Sequence, residues 1–151
     1  MADYVLQTDR LTRYFGSNCA VNELNLKVPR GGVFALLGRN GAGKTTTIRM
    51  LMGFMQPTRG SATILGTDCT QLTPEIRGRI AYVAEGHFLY KWMTIAQLEK
   101  FQRDSAPRWN QKLFRAVLEH FALDEKAKAG SLSRGQRAGV CLALALAPNR
   151  N

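Results

Sequence analysis

The residues best equipped for chemistry in this sequence are Gly38, Arg39, Asn40, Gly41, Ala42, Gly43, Lys44 and Thr45, continued by Thr46 and Thr47. Their spacing is G-x-x-x-x-G-K-[ST], and the chemistry of that spacing is the holding of a run of phosphates. Backbone N–H groups of a glycine-rich turn converge on an anion. A helix beginning near Lys44 adds the positive end of its dipole at the same point. Glycine is needed where φ is positive or where a phosphate comes too close for a Cβ. Lys44 would then reach the β- and γ-phosphates, and the Thr45 hydroxyl would bind Mg²⁺. The pattern has this mechanism only between a strand and a helix. Val33-Phe34-Ala35-Leu36-Leu37 predicts a buried strand before it, and Thr46 to Met52 predicts a helix after it. A bound nucleoside triphosphate follows; the reaction does not.

The elements that must position this loop can be read from periodicity and turn residues. Residues 4–16 predict an edge strand and a turn. Leu24, Leu26 and Val28 alternate with polar neighbours, so Val21 to Val28 predicts a second strand. Pro29-Arg30-Gly31-Gly32 turns the chain into the loop's strand. The helix after the loop should end around Phe54, before the turn Pro57-Thr58-Arg59-Gly60. Ser61 to Gly66 predicts a short strand, and Thr73-Pro74 the cap and first position of a brief helix. Arg79 to Val83 predicts another strand, closed by Glu85-Gly86. From Thr94 to Asp104 and from Asn110 to Phe121 the spacing turns helical, with Asn110 as N-cap. Ile95, Leu98 and Phe101 line one face; Leu113, Val117, Leu118 and Phe121 line the other helix. Last comes Leu132-Ser133-Arg134-Gly135-Gln136 before an alanine- and leucine-rich helix, Arg137 to Ala147, with Ser133 placed to cap it. The pattern is α/β, with a helical insert at about 86–130.

Composition narrows the function classes. Hydrophobic residues at 45% and charged residues at 21% suit one globular domain or part of one. The net charge of +10, from 21 Lys+Arg against 11 Asp+Glu, is scattered. That spread favours a solvated face, or one near acidic lipid, over a nucleic-acid groove. The longest apolar run, Val140 to Ala147, is too short to span a bilayer, and Met1 to Leu6 shows no signal-peptide pattern. Cys19, Cys69 and Cys141 lack metal-ligand spacing and are expected as reduced thiols packed like small hydrophobes.

With Leu-Ser-x-Gly-Gln at 132–136 downstream of the phosphate loop, the chain resembles the ATP-binding cassette (ABC) ATPases over essentially its whole length. The resemblance implies a P-loop NTPase (RecA-like) core from 1–85 and 131–151, with a helical subdomain at about 86–130. It implies ATP and Mg²⁺. Phe15, before Gly16, matches the aromatic that stacks on adenine, with Tyr14 as the fallback; Gly38 to Thr46 match the phosphate loop. Glu85 falls where most members carry a glutamine that contacts Mg²⁺ or its water and relays the nucleotide state. A carboxylate keeps an oxygen for the metal but loses the donors of an amide. Ser133, Gly135 and Gln136 match the signature that faces the ATP of a second copy, paired head to tail. Glu85, together with Leu89 to Thr94 and Pro107 to Asn110, is similar to the ATPase subunits of ABC-2-type exporters and antibiotic-resistance systems. Trp92 and Trp109 are expected as core or hinge anchors. The implied partner is a membrane permease, the implied place the cytoplasmic face of the plasma membrane, and no nucleic acid is expected.

In that family a later strand carries the Walker B aspartate and the catalytic glutamate. No apolar stretch ending in Asp-Glu occurs in these 151 residues; Asp124-Glu125 precedes the signature, as do His87 and His120. No catalytic residue is therefore assigned. The expectation is a cassette cut before the Walker B strand, an ATPase by family that binds ATP rather than turning it over. It should also be marginally stable, with an exposed apolar face. The alternatives are a non-hydrolytic nucleotide-binding fragment and a soluble relative acting on ribosomes or DNA. The last predicts tandem cassettes or a long coiled insert, and neither appears.

Overall fold

A computed structural model describes residues 3–106 and 108–148, so residues 1–2, Pro107 between the two expected helices, and residues 149–151 lie outside the described residues. The chain divides into two compact units, Met1–Arg77 and Gly78–Asn151. The first holds strands β1 (Tyr4–Phe15), β2 (Asn18–Pro29), β3 (Arg59–Ile64) and β4 (Thr67–Asp68), with helices α1 (Lys44–Leu51) and α2 (Pro74–Arg77). The second holds α3 (Ile95–Asp104), α4 (Gln111–His120) and α5 (Arg134–Leu146).

The four strands form one antiparallel sheet in the order β2-β1-β3-β4. β1 is thus interior, not the edge strand its mixed composition predicts. Its register with β2 is interrupted, and Arg10 and Glu23 both take φ of 43°. Two buried threonines repair those bulges. Thr8 Oγ1 donates to the Leu24 carbonyl at 2.7 Å and accepts from the Leu26 N–H at 2.8 Å. Thr12 Oγ1 donates to the Arg10 carbonyl at 2.9 Å and accepts from the Glu23 N–H at 3.0 Å. Each hydroxyl spends its donor and an acceptor on backbone groups the bulge would orphan, which removes the penalty for burying them. Leu11 is fully buried nearby, and Met50 and Leu51 of α1 are buried in the same unit.

Helix α1 stops at Leu51 rather than near Phe54. The Gly53 N–H donates to the Met50 carbonyl (3.0 Å) and the Phe54 N–H to the Arg49 carbonyl (2.9 Å), the paired bonds of a Schellman ending. The expected buried strand at 33–37 is absent. Those residues have no ladder partner among the described residues; Val33 is 104% exposed and Leu37 87%. A strand exists through its neighbour's N–H and C=O groups, so an apolar run without one stays irregular. Arg79 to Val83 likewise does not form the strand expected of it.

In the second unit Ile95 and Leu98 of α3, Phe114 and Leu118 of α4, and Val140 and Ala143 of α5 close one core with Ala129, Leu132 and Ala147. Burying each of the larger side chains stabilises by about 1.5–3 kcal/mol. Phe114, not the expected Leu113, is the fully buried residue of α4. Local signals fix the helix starts. Thr94 and Gln97 form a reciprocal capping box, and the Asn110 side chain accepts from the Leu113 N–H at 2.9 Å. Trp109 packs against Phe114 with ring centres 5.5 Å apart, whereas Trp92 is 68% exposed and anchors no core. Among the thiols, Cys69 is buried and Cys141 half-buried, but Cys19 is exposed, against the expectation that all three are packed.

Candidate functional site

The phosphate loop enters α1 through Gly43, which is in the left-handed region at φ 81°. A Cβ there would run into the Ala20 carbonyl and meet the Val21 side chain at 3.0 Å. Both conformation and proximity to β2 therefore demand glycine. Helix α1 has no side-chain cap and no acidic residue in its first turn. Its leading N–H groups, from Lys44, Thr45 and Thr46, are left without intrahelical partners, which is the donor set an anion uses. Gly41 is likewise left-handed, at φ 84°, and the Ala42 N–H closes the turn onto the Arg39 carbonyl at 3.1 Å.

Lys44 folds its ammonium back over this turn, donating to the carbonyls of Gly38 at 2.6 Å and Arg39 at 2.8 Å. An ammonium has three N–H donors, so the third remains for an anion above the loop. Thr45 is exposed, with its hydroxyl at the helix start, while Thr47 is buried beneath. The loop fits a polyphosphate: one fixed cation, several convergent N–H groups and no carboxylate beside them. For Mg²⁺, no cluster of three His, Cys, Asp or Glu side chains exists among the described residues. A metal here would be held by the Thr45 hydroxyl and the phosphates themselves, the coordination Mg²⁺ commonly takes.

Phe15 ends β1, paired with Asn18 of β2, and is 44% exposed. The neighbouring Tyr14 faces Cys19 across the ladder, and its hydrogen bond to Cys19 raises the phenol above its usual value. Ala20, which abuts Gly43, lies two residues from Asn18 along β2, or roughly 7 Å at the rise of a strand. The ring and the loop therefore share one end of the sheet.

The remaining residues lie in the second unit. Ser133 caps α5: its Oγ accepts from the Gln136 N–H at 3.2 Å, and Gln136 Oε1 accepts from the Ser133 N–H at 3.0 Å. The α5 helix thus begins with the signature itself, at Arg134, three residues before the periodic run suggested. The Ala129 and Gly130 N–H groups donate to the Met93 and Lys91 carbonyls, each at 2.9 Å, and so pin the segment leading into Ser133. Gly135 is exposed, with nothing within 4 Å of where a Cβ would stand. Glu85 and Gly86 form an exposed turn closed by the His87 N–H on the Ala84 carbonyl at 3.4 Å. Beside that turn, a cavity of about 540 Å³ lies against α3 and α5, lined by Tyr82, Phe88, Tyr90, Phe101 and Cys141 among others. Sequence reasoning did not find this cavity, because its wall comes from three separated segments; the aromatics at 88 and 90 were its one signal.

The ABC transporter family model matches residues 21–151. The chain is 35% identical over 144 residues to the bacitracin transport ATP-binding protein of Bacillus licheniformis, covering 93% of this chain and 47% of that one. It is 36% identical over 151 residues to the putrescine transport ATP-binding protein of Escherichia coli, covering 95% and 39%. It thus spans less than half the length of either relative. A solved ATP-binding subunit of an ABC transporter superposes with a TM-score of 0.79 at 26% identity, over 93% of this chain and 61% of that one. A dimeric bacterial ABC cassette shares the fold, with a TM-score of 0.79 at 23% identity over 95% and 70%. The P-loop NTPase fold expected from the sequence is thereby established, and the chain belongs to the ABC transporter family, as part of an ATP-binding cassette.

Proposed function

We propose that this chain forms the nucleotide-holding part of an ABC exporter ATPase, in the branch that includes bacitracin-type resistance systems. One observation carries the reading: Lys44 is held over a left-handed glycine turn at the uncapped start of α1. ATP binds with its β- and γ-phosphates on that loop, Phe15 against adenine, and Mg²⁺ between the phosphates and Thr45.

The second half of the site is offered to a second copy. Because the Ser133 oxygen already accepts from Gln136, its O–H proton is the part left to donate, and it meets the γ-phosphate of the partner's ATP. Gly135 leaves room for that approach. In a head-to-tail pair each copy contributes a loop to one site and a signature to the other. In the complete cassette, residues 1–85 and 131–151 belong to the core and about 86–130 to the helical subdomain. A permease chain docks on the second unit near Glu85, where Phe88, Tyr90, Trp92 and Phe101 are exposed; apolar patches of this kind mark protein contacts. No helix among the described residues is long and apolar enough to cross a membrane; the cassette works at the cytoplasmic face, and the permease spans the bilayer.

Equilibrium titration of the chain with ATP and Mg²⁺ tests the core of this. Lys44→Ala removes a charge-assisted contact of about 1.5–3 kcal/mol, so affinity should fall by roughly 10- to 100-fold with the circular dichroism unchanged. Equal affinity in the variant would overturn the phosphate assignment.

A further inference from the structure

Arg13 carries an unexplained cost. Its Nε is buried without a hydrogen-bond partner, and native structures seldom leave a buried donor unpaired. Two other contacts hold the side chain. Nη1 donates to the Gln56 carbonyl at 3.0 Å, and the guanidinium carbon stands 4.8 Å from the centre of the Phe15 ring.

The surroundings say what this contact links. Gln56 belongs to the loop that leaves α1. That loop is fastened to the end of β1 twice more, by the Thr58 N–H on the Thr12 carbonyl (2.8 Å) and the Tyr14 N–H on Thr58 Oγ1 (3.1 Å). Arg13 also pairs in register with Val21, the residue against which Gly43 of the phosphate loop is packed. Arg13 therefore joins the exit of the phosphate helix to the aromatic ring at the sheet end, and it covers one face of that ring with a cation.

We propose that Arg13 is a positioning residue for nucleobase binding. Clamped to Gln56, its guanidinium fixes the Phe15 ring, so that a base stacks on the opposite face at a set distance from the phosphate loop. This rests on the reading of Phe15 as the base contact. A mobile exposed phenyl would lose rotamer freedom on binding, and a ring already held loses little. The guanidinium is drawn to the ring's face by the ring's quadrupole, and that attraction supplies the hold. Arginine suits the role better than lysine because its planar group stacks while its edge hydrogen-bonds.

The test compares ATP with inorganic tripolyphosphate, which shares the phosphates but has no base, by calorimetric titration of the full chain. Arg13→Met should weaken ATP by roughly three- to tenfold, the cost of immobilising one ring on binding, and leave tripolyphosphate unchanged. Arg13→Gln, which keeps a donor for Gln56 and so protects the fold, should show the same selective loss; Arg13→Lys should recover part of it. Phe15→Ala should reduce ATP selectively by at least as much. If Phe15→Ala is selective but Arg13→Met and Arg13→Gln are not, the role of Arg13 is overturned and the base contact stands. If Phe15→Ala leaves the ratio of the two ligands unchanged, the base contact itself fails and the proposal falls with it. Equal loss of both ligands in the Arg13 variants would mean a general disturbance of the sheet end, and would also overturn it.

Discussion

Single side chains in this protein are used more fully than their types suggest. Thr8 and Thr12 act as pieces of the backbone ladder, and Lys44 is held by its own loop before any ligand arrives. The three thiols differ in ways that labelling can read. Burial, with the Asp68 charge adding to it, pushes the Cys69 thiol up to about 11, and burial raises Cys141 as well. Since the thiolate is the reactive form, a maleimide at pH 8 should modify exposed Cys19 first, Cys141 more slowly and Cys69 last. Mass spectrometry of a time course checks this, and fast modification of Cys69 would contradict its burial. The sign for stability follows. The folded Cys69 holds its proton more tightly than the unfolded chain does. Its contribution is complete below the ordinary thiol value and is lost as pH rises toward 11. The phosphate loop was legible from residue types alone because its chemistry lies in eight consecutive positions. The clamp of Arg13 on Phe15 and Gln56 was not, because it joins residues 43 positions apart.

At the scale of elements, α5 allows structure and function to be separated. Ser133→Ala removes the cap and should cost about 0.5–2 kcal/mol in a denaturant melt. Ser133→Asp keeps a capping oxygen and complements the helix dipole, so stability should hold or rise, while the added negative charge repels a partner's γ-phosphate. ATP-dependent pairing of complete cassettes, followed by light scattering, should then be lost in the stable variant; pairing that survives would exclude Ser133 from the shared site. Gly139 on the same helix poses an opposite question. Alanine is ordinarily better in a helix by about 1 kcal/mol, but a Cβ here would meet the Phe121 ring at 2.5 Å. Overpacking of about 1–3 kcal/mol should win. Gly139→Ala is expected to lower the melting temperature, and pairing it with Phe121→Leu to restore much of the loss. The helix starts at Thr94, Asn110 and Ser133 were readable because a cap and a 3.6-residue period are local. The runs at 33–37 and 79–83 were misread because a strand is defined by what lies beside it. For the same reason β1 was taken for an edge, although β2 and β3 flank it.

For the molecule as a whole, the exposed apolar surface that the sequence anticipated is seen at Val33 and Leu37, with Leu142 and Leu146 partly exposed on α5. An apolar dye such as ANS should brighten on the native chain. Val33→Ser with Leu37→Ser should dim it without lowering the melting temperature, because neither side chain contributes burial; a marked drop in stability would show that both are packed. The charge of +10 does little to hold the fold. The ion pairs Arg10–Asp9, Arg30–Asp3 and Arg115–Glu125 are exposed, whereas Glu99 is buried in its pair with Arg103; exposed pairs contribute about 0–1 kcal/mol each. The division into Met1–Arg77 and Gly78–Asn151 has a consequence for inheritance. Lys44 belongs to one unit and Ser133 to the other. With the shared site proposed above, damage in the first unit disables a copy's own nucleotide, whereas damage in the second disables its partner's. Two differently damaged copies in one cell would then complement each other at one of the two sites, and leave the other doubly broken.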